Sequence, residues 1–322
     1  MRIALPASID GAAFSRLVPT ARVTDLGGET MGTRWHIRAV LPEPLTPATV
    51  APAVTARLDG IVAEMSHWSP TSLLSRFNAA PAGGWMTLPP DFAHVIAEGL
   101  RIAAASGGAF DPAIGRLVDL WGFGPSPVAG PPNAAALAAA RAASGYRRLD
   151  WSPGDRRLRQ PGGLSLDLSG IAKGFVVDSV ADLLAGLGIA HALVEIGGEL
   201  VGRGVRPDGQ PWWVDLETPP GIALEPLRIA LHGLAVATSG DYRRGRHTLD
   251  PRTGRSTDNG VVSTTVIATT ALEADAWATA LTVLGVEAGL ALATRKGLAA
   301  RIVTAQPPHE HLTPSLLAML AD

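Results

Sequence analysis

Apolar residues in this chain change their spacing many times, from every second position to every third or fourth, and turn residues mark the changes. In GGETMGTRWHIRAVL, Trp35, Ile37 and Ala39 alternate with polar neighbours and predict a strand. Val54, Leu58, Ile61 and Met65 instead recur at helical spacing, predicting a helix that starts at Pro47, with Thr46 as its cap, or at Pro52. Further helices are expected over about Asp91 to Ala105, over the alanine-rich run from Asn133 to Ser144, and after LDLSGIAKG, where Phe175, Val176, Val180, Leu183 and Leu184 share a face. RRLDWSPGDRRLRQ reads as a hairpin about Pro153, Gly154 and Asp155, and HALVEIGG, VRPDGQPWWVDLE, LRIALHGLAVATSG and GVVSTTVIATT read as strands. LEADAWATALTVLG predicts one more helix, and AARIVTA a closing strand. Strands joined by turns as often as by helices favour an α+β class, with mixed, largely antiparallel sheets packed against helices, over a doubly wound parallel sheet. The expected organisation is an irregular segment over residues 1–22 and a single compact unit over 23–322.

Charge and cysteine usage narrow the function classes. The 322 residues hold 27 Lys and Arg against 29 Asp and Glu, and basic residues are scattered apart from short groups such as Arg243, Arg244 and Arg246. That leaves no electrostatic footprint for nucleic acid. The absence of Cys excludes disulfides, thiolate metal centres, a Cys nucleophile and a lipid-anchoring Cys. The first twenty residues, MRIALPASIDGAAFSRLVPT, are broken by Pro6 and Asp10 before any apolar run of signal-peptide length, and other apolar stretches are interrupted by charge, Gly or Pro. A soluble cytoplasmic protein without a membrane span is therefore the expectation.

Four stretches carry possible chemistry. Asp275 and Thr279 stand four apart, so they share one helical face; a carboxylate and a hydroxyl suit a hard cation such as Mg²⁺, which takes further oxygens from water and phosphate. Taken alone, the pair is more readily what an ordinary helix surface produces, since a two-residue spacing arises easily by chance. In LDLSGIAKG, Gly170 precedes a helix start with Lys173 on its first turn, a natural seat for phosphate or merely a strand-turn-helix junction. GGAFDPAIGRLVDLWGFGP offers Trp121, Phe123 and nearby glycines either as a slot for a planar ring or as an aromatic-capped loop packed on the core. In ATSGDYRRGRHTLDPRTGRS, His247 before the Asp250-Pro251 turn is either a general base or a structural His. Ser239 lacks a nucleophile elbow. EIGGELVGRG lacks the dinucleotide-binding spacing. His309 and His311, with only Glu310 near them, read as part of a solvated tail rather than a zinc site.

In order and content, MGTRW, MSHWSPTSLLSRFN, GGAFDPAIGRLVDLWGFGP, LDLSGIAKG, VEIGGE, ATSGDYR, HTLDPRTG and EADAWATAL resemble one family, the ApbE-type FAD:protein FMN transferases. The resemblance implies binding of FAD and, with Mg²⁺, cleavage of its pyrophosphate. FMN passes to a Thr or Ser hydroxyl of an acceptor protein and AMP is released; some members hydrolyse FAD to FMN and AMP. Carried over by position, Met31, Trp68, Ala109, Phe110, Asp111, Asp167, Lys173 and Leu249 would line the FAD site. Asp275, Thr279 and the Gly170 carbonyl would hold the metal, and His247 would take the proton of the acceptor hydroxyl. Leu73, Ala278 and the pair Thr248-Leu249 depart from residues common in the family, and the family is often exported as a lipoprotein, whereas no leader or anchoring Cys is read here. Two alternatives stand beside transfer: an FAD pyrophosphatase using water at the same site, and an FAD-binding carrier without turnover.

Overall fold

The computed structural model describes residues 1–14, 16–128, 130–242 and 245–321; Arg243 and Arg244 lie outside the described residues. Helices and mainly antiparallel sheets make up the chain, as the mixture of periods implies. Its contacts gather into two compact units, a division that the expectation of one unit did not contain. The first comprises Met1–Asp59, Lys173–Tyr242 and Gly260–Asp322, the second Gly60–Ala172 and Arg243–Asn259.

The first unit is built on an eight-stranded sheet: β1 (Val23–Thr30), β2 (Thr33–Val40), β3 (Ala192–Ile196), β4 (Glu199–Arg203), β5 (Leu234–Gly240), β6 (Val261–Ala268), β7 (Ala299–Ala305) and β8 (Pro308–Leu312). Every strand pairs antiparallel with the next in sequence, so the sheet is a meander interrupted by excursions of the chain. GGETMGTRWHIRAVL, expected as one strand, is the end of β1, a turn at Met31 and Gly32, and β2. The register sets Val236 opposite both Leu200 and Ile267. On that face Leu193, Val236, Ile267 and Ala299 pack against Ala4, Trp212, Leu227, Ile229 and Leu231, which come from a three-stranded sheet of Arg2–Ala4, Leu227–Leu231 and Trp212–Asp215.

The N-terminal segment is thus not irregular throughout. Arg2–Ala4 runs parallel to Leu227–Leu231, held by burial of Ala4 and by the Arg2 guanidinium on the Glu310 carboxylate at 2.6 Å. Side chains alternate along a strand, so Ala235, Ala237 and Val266 face the other way. There they meet the long helix α2, Ala271–Lys296, which follows α1, Ala172–Gly186, in the chain. Small residues on β5 let this helix approach closely. By length and composition α2 could cross a membrane, but here its apolar residues are mostly buried against the sheet. The two histidines expected in a solvated tail lie on β8, their rings 4.5 Å apart. The tail reading failed because Pro308–Leu312 finds a partner in β7, which no local signal announces.

In the second unit, helices Leu73–Ala79, Pro90–Ala105, Gly115–Leu120 and Ala134–Ala143 accompany a small antiparallel sheet. The expected hairpin at Pro153 is present, pairing Asp150–Ser152 with Arg157–Arg159, and Trp85–Thr87 adds the third strand. Asn133 caps the alanine-rich helix by accepting the Ala136 amide at 2.9 Å. The earlier helix starts at Pro47, with Pro52 inside it. A ribbon of Leu249–Asp250 and Arg255–Ser256 supplies Leu249 to a cluster with Leu117 and Leu137.

Candidate active site

In the first unit, the start of α1 and the start of α2 bring a half-buried Lys together with buried carboxylates. Lys173 stands on the first turn of α1 and its ammonium forms an ion pair with Glu199 Oε1. Glu199 opens β4 directly after the Gly197-Gly198 turn and is only 2% exposed. Its other oxygen is buried with no hydrogen-bond partner among the described residues. Asp275, 3% exposed, accepts the Gly174 amide on Oδ2 at 3.0 Å. Position 174 tolerates no side chain, since a Cβ there would overlap the Ala271 carbonyl. One turn further along α2, Thr279 Oγ1 lies 3.2 Å from Ser239 Oγ of β5.

The electrostatics follow from this geometry. Burial raises the Glu199 carboxyl above its ordinary value, the Lys173 ammonium opposes that shift and the Asp275 carboxylate adds to it. Burial likewise raises Asp275, against the pull of Lys173 and the Gly174 amide. Two buried carboxylates thus share one ammonium, and an uncompensated buried charge is costly. A second cation would relieve it. The donors present are carboxylate and hydroxyl oxygens, which suit a hard divalent cation. Among the described residues no group of three or more His, Asp or Glu gathers to hold a metal, so such an ion would complete its shell from phosphate, water or backbone oxygens. Gly170 lies in the turn leading into α1, in the second unit.

In the second unit, Asp167 is buried and its Oδ1 accepts the Ser169 amide at 3.0 Å and the Ser169 hydroxyl. His67 Nδ1 lies 3.7 Å from Asp167 Oδ2, and its ring is 5.2 Å from that of Trp68, which is 62% exposed. An aromatic left so open, beside a His and a buried carboxylate, is a ready platform for a flat ring. Asp111 accepts the amides of Ala113 at 2.8 Å and Tyr146 at 2.9 Å. Burial pushes its carboxyl up to about 6, outweighing the two amides and Arg147.

Ala109, Phe110 and Leu249 are almost wholly buried, so what they can offer a ligand is backbone rather than side-chain surface. Trp121 and Phe123 pack on the Leu117 and Leu249 cluster, with Trp121 Nε1 donating to the Gly254 carbonyl at 2.8 Å. Of the two readings of that stretch, the loop packed on the core describes these two rings. His247 sets Nδ1 against the Gly245 carbonyl at 2.9 Å; a carbonyl can only accept, so Nδ1 carries the proton and Nε2 is the basic nitrogen.

The structure therefore gathers Lys173 and Asp275 about Glu199 and Gly174, places Thr279 against Ser239, and sets His67 between Trp68 and Asp167. Met31 stands at its own turn between β1 and β2, with a positive φ of 47° that is unusual for a side-chain-bearing residue. Glu199 and His67 are additions that the sequence did not single out, and Ser239, weighed there only as a nucleophile, stands instead against Thr279. The signals available were the acid directly after a Gly-Gly turn in VEIGGE and the His before Trp68 in MSHW.

Comparison with known proteins extends these observations over most of the chain. The ApbE family model matches residues 31–302. The FAD:protein FMN transferase of Klebsiella pneumoniae strain 342 is 36% identical over 301 residues, covering 88% of this chain and 85% of the relative. The protein of the same name from Vibrio cholerae strain O395 is 37% identical over 286 residues, covering 85% of each. The crystal structure of the Pseudomonas stutzeri flavinyl transferase ApbE in its apo form superposes with a TM-score of 0.87 at 37% identity, covering 94% of this chain and 98% of that one. Sequence and fold agree over nearly the same span, and the chain belongs to the ApbE family.

Proposed function

We propose that this chain transfers FMN from FAD to a Thr or Ser hydroxyl of an acceptor protein, with Mg²⁺ and with release of AMP. Family membership and the names of its relatives support flavin transfer. The observation that carries the metal-dependent reading is the cluster of Lys173 with the buried carboxylates of Glu199 and Asp275, where one Glu199 oxygen has no hydrogen-bond partner among the described residues. Asp275 and Thr279, with the Gly170 carbonyl, would hold the ion. Mg²⁺ there would neutralise charge on the pyrophosphate as the bond to AMP breaks.

The chain's own residues have distinct tasks. Lys173 presents an ammonium at the start of a helix whose amides also favour phosphate. Asp275 keeps its orientation through the Gly174 amide. Trp68 and Asp167, with Met31, Asp111 and the backbone at Ala109, Phe110 and Leu249, would bind FAD and orient it. His247, with Nε2 as its basic atom, would accept the hydroxyl proton as the acceptor oxygen bonds to the FMN phosphorus. The AMP phosphate leaves as the other half of the broken pyrophosphate, so atoms and charge balance.

The deciding experiment incubates the purified chain with FAD, with and without Mg²⁺, and with a Thr-containing acceptor peptide, and follows AMP, FMN and peptide mass. AMP formed only with Mg²⁺, together with peptide heavier by one FMN phosphoester, is the expected result. AMP with free FMN alone would replace transfer by FAD hydrolysis. Bound FAD without AMP under every condition would leave a carrier.

A further inference from the structure

The first turns of α1 and α2 are tied together more firmly than helix capping requires. Asp178 of α1 accepts the amides of Ala271 and Leu272, one on each carboxylate oxygen, both at 2.9 Å. Amides at a helix start have no partner within their own helix, and a carboxylate there meets the positive end of the helix dipole. Yet this end already has its own cap, for Thr270 Oγ1 accepts the Glu273 amide at 3.3 Å. One turn before Asp178 on α1, Gly174 lies against the Ala271 backbone and donates to Asp275. Asp178 and Gly174 thus grip both sides of the turn from which Asp275 projects.

We propose that Asp178 is a positioning residue for Asp275: it fixes the first turn of α2 on α1 and so aims the Asp275 carboxylate at the cation. The inference rests on the reading of Asp275 as a cation ligand. Asp178 itself touches neither cation nor substrate. Its carboxylate is suited to the task because two acceptor oxygens with fixed spacing hold two successive amides in a partly buried setting. Asn offers one acceptor oxygen and turns an N–H toward the second amide, so Asp178→Asn releases half of the grip without changing side-chain size.

The test titrates Mn²⁺ alone into the full chain without FAD, reading free Mn²⁺ by electron paramagnetic resonance. It compares the parent, Asp178→Asn and Thr270→Ala at a temperature where circular dichroism shows all three folded. The expected result is a parent that binds Mn²⁺, an Asp178→Asn chain weaker by roughly ten- to hundredfold, the loss usual when a group orienting a metal ligand is removed, and a Thr270→Ala chain close to the parent. Parent and Asp178→Asn chains with equal affinity would overturn the positioning role alone. Equal weakening by Thr270→Ala would reduce Asp178 to an ordinary cap and overturn it as well. A parent that binds no Mn²⁺ would remove the cation assignment, and the inference with it. Should Asp178→Asn fail to fold, Asp178→Glu keeps both oxygens but shifts them by one methylene, and an affinity unchanged from the parent would equally overturn the proposal.

Discussion

Among the described residues Asp275 accepts one hydrogen bond, from the Gly174 amide, and removing a buried carboxylate also removes its desolvation cost. Asp275→Ala is therefore expected to leave the melting temperature within a few degrees of the parent while abolishing Mg²⁺-dependent AMP release; retained full activity would sink the metal assignment. Gly174→Ala should do the reverse of sparing the fold. Its Cβ would strike the Ala271 backbone, which cannot yield as a flexible side chain would, so a loss of about 1–3 kcal/mol in urea denaturation is expected. An unchanged midpoint would mean that α1 and α2 separate at little cost. At this scale the sequence was informative where chemistry is local. Asp275 and Thr279 are four apart on one face because a helix puts them there. Glu199 was not legible, since its burial and its pairing with Lys173 depend on β4 meeting α1, a contact between residues 26 apart in sequence. The His67 and Asp167 approach is of the same kind.

Elements whose signals lie within their own few residues were readable: the hairpin at Pro153, the capped helix after Asn133, the helix starting at Pro47. β1 was missed because VTDLGGET alternates weakly, and Arg2–Ala4 because a three-residue strand acquires its identity only from the partner at Leu227–Leu231. The helix α2 was expected, but its interruption was not. Gly285 has φ 77° and ψ −175°, inside what is otherwise a continuous helix, and that region is open essentially to glycine only. Gly285→Ala should thus cost about 1–3 kcal/mol of stability. Asp275 and Thr279 lie before the break, so turnover per folded molecule should be preserved. Measuring both separates the two effects, and lost turnover in a chain of parental stability would show that the bend serves the reaction rather than the fold.

On the scale of the whole molecule, the sequence pattern implied one unit because no linker separates the two. The second unit enters the meander as two inserts, 60–172 between β2 and β3 and 243–259 between β5 and β6. Each unit carries an Asp, buried at Asp111 and partly buried at Asp178, that folding makes harder to ionise. Burial, opposed by two backbone amides in each case, raises Asp111 in one and Asp178 in the other from 3.8 to about 6. Between those values the folded chain holds a proton that the unfolded chain has lost, so stability falls as pH rises through the window and levels off above it. Glu310, held below its ordinary value by Arg2 and Arg301 despite burial, acts the other way, losing its contribution as the solution becomes more acid. The Asp111 share can be isolated by substitution. Asp111→Asn gives up one backbone hydrogen bond at every pH, a constant offset, but removes the titration. The change in unfolding free energy between pH 4 and pH 7 should therefore differ between parent and Asp111→Asn by about 2 kcal/mol, the part of the shift that falls inside that interval, with the parent losing more stability, or gaining less, as the pH rises. Urea denaturation of both chains at the two pH values measures it, and parallel pH profiles would mean that Asp111 is ionised in the folded protein at little cost, solvated by its two amides well enough to cancel its burial.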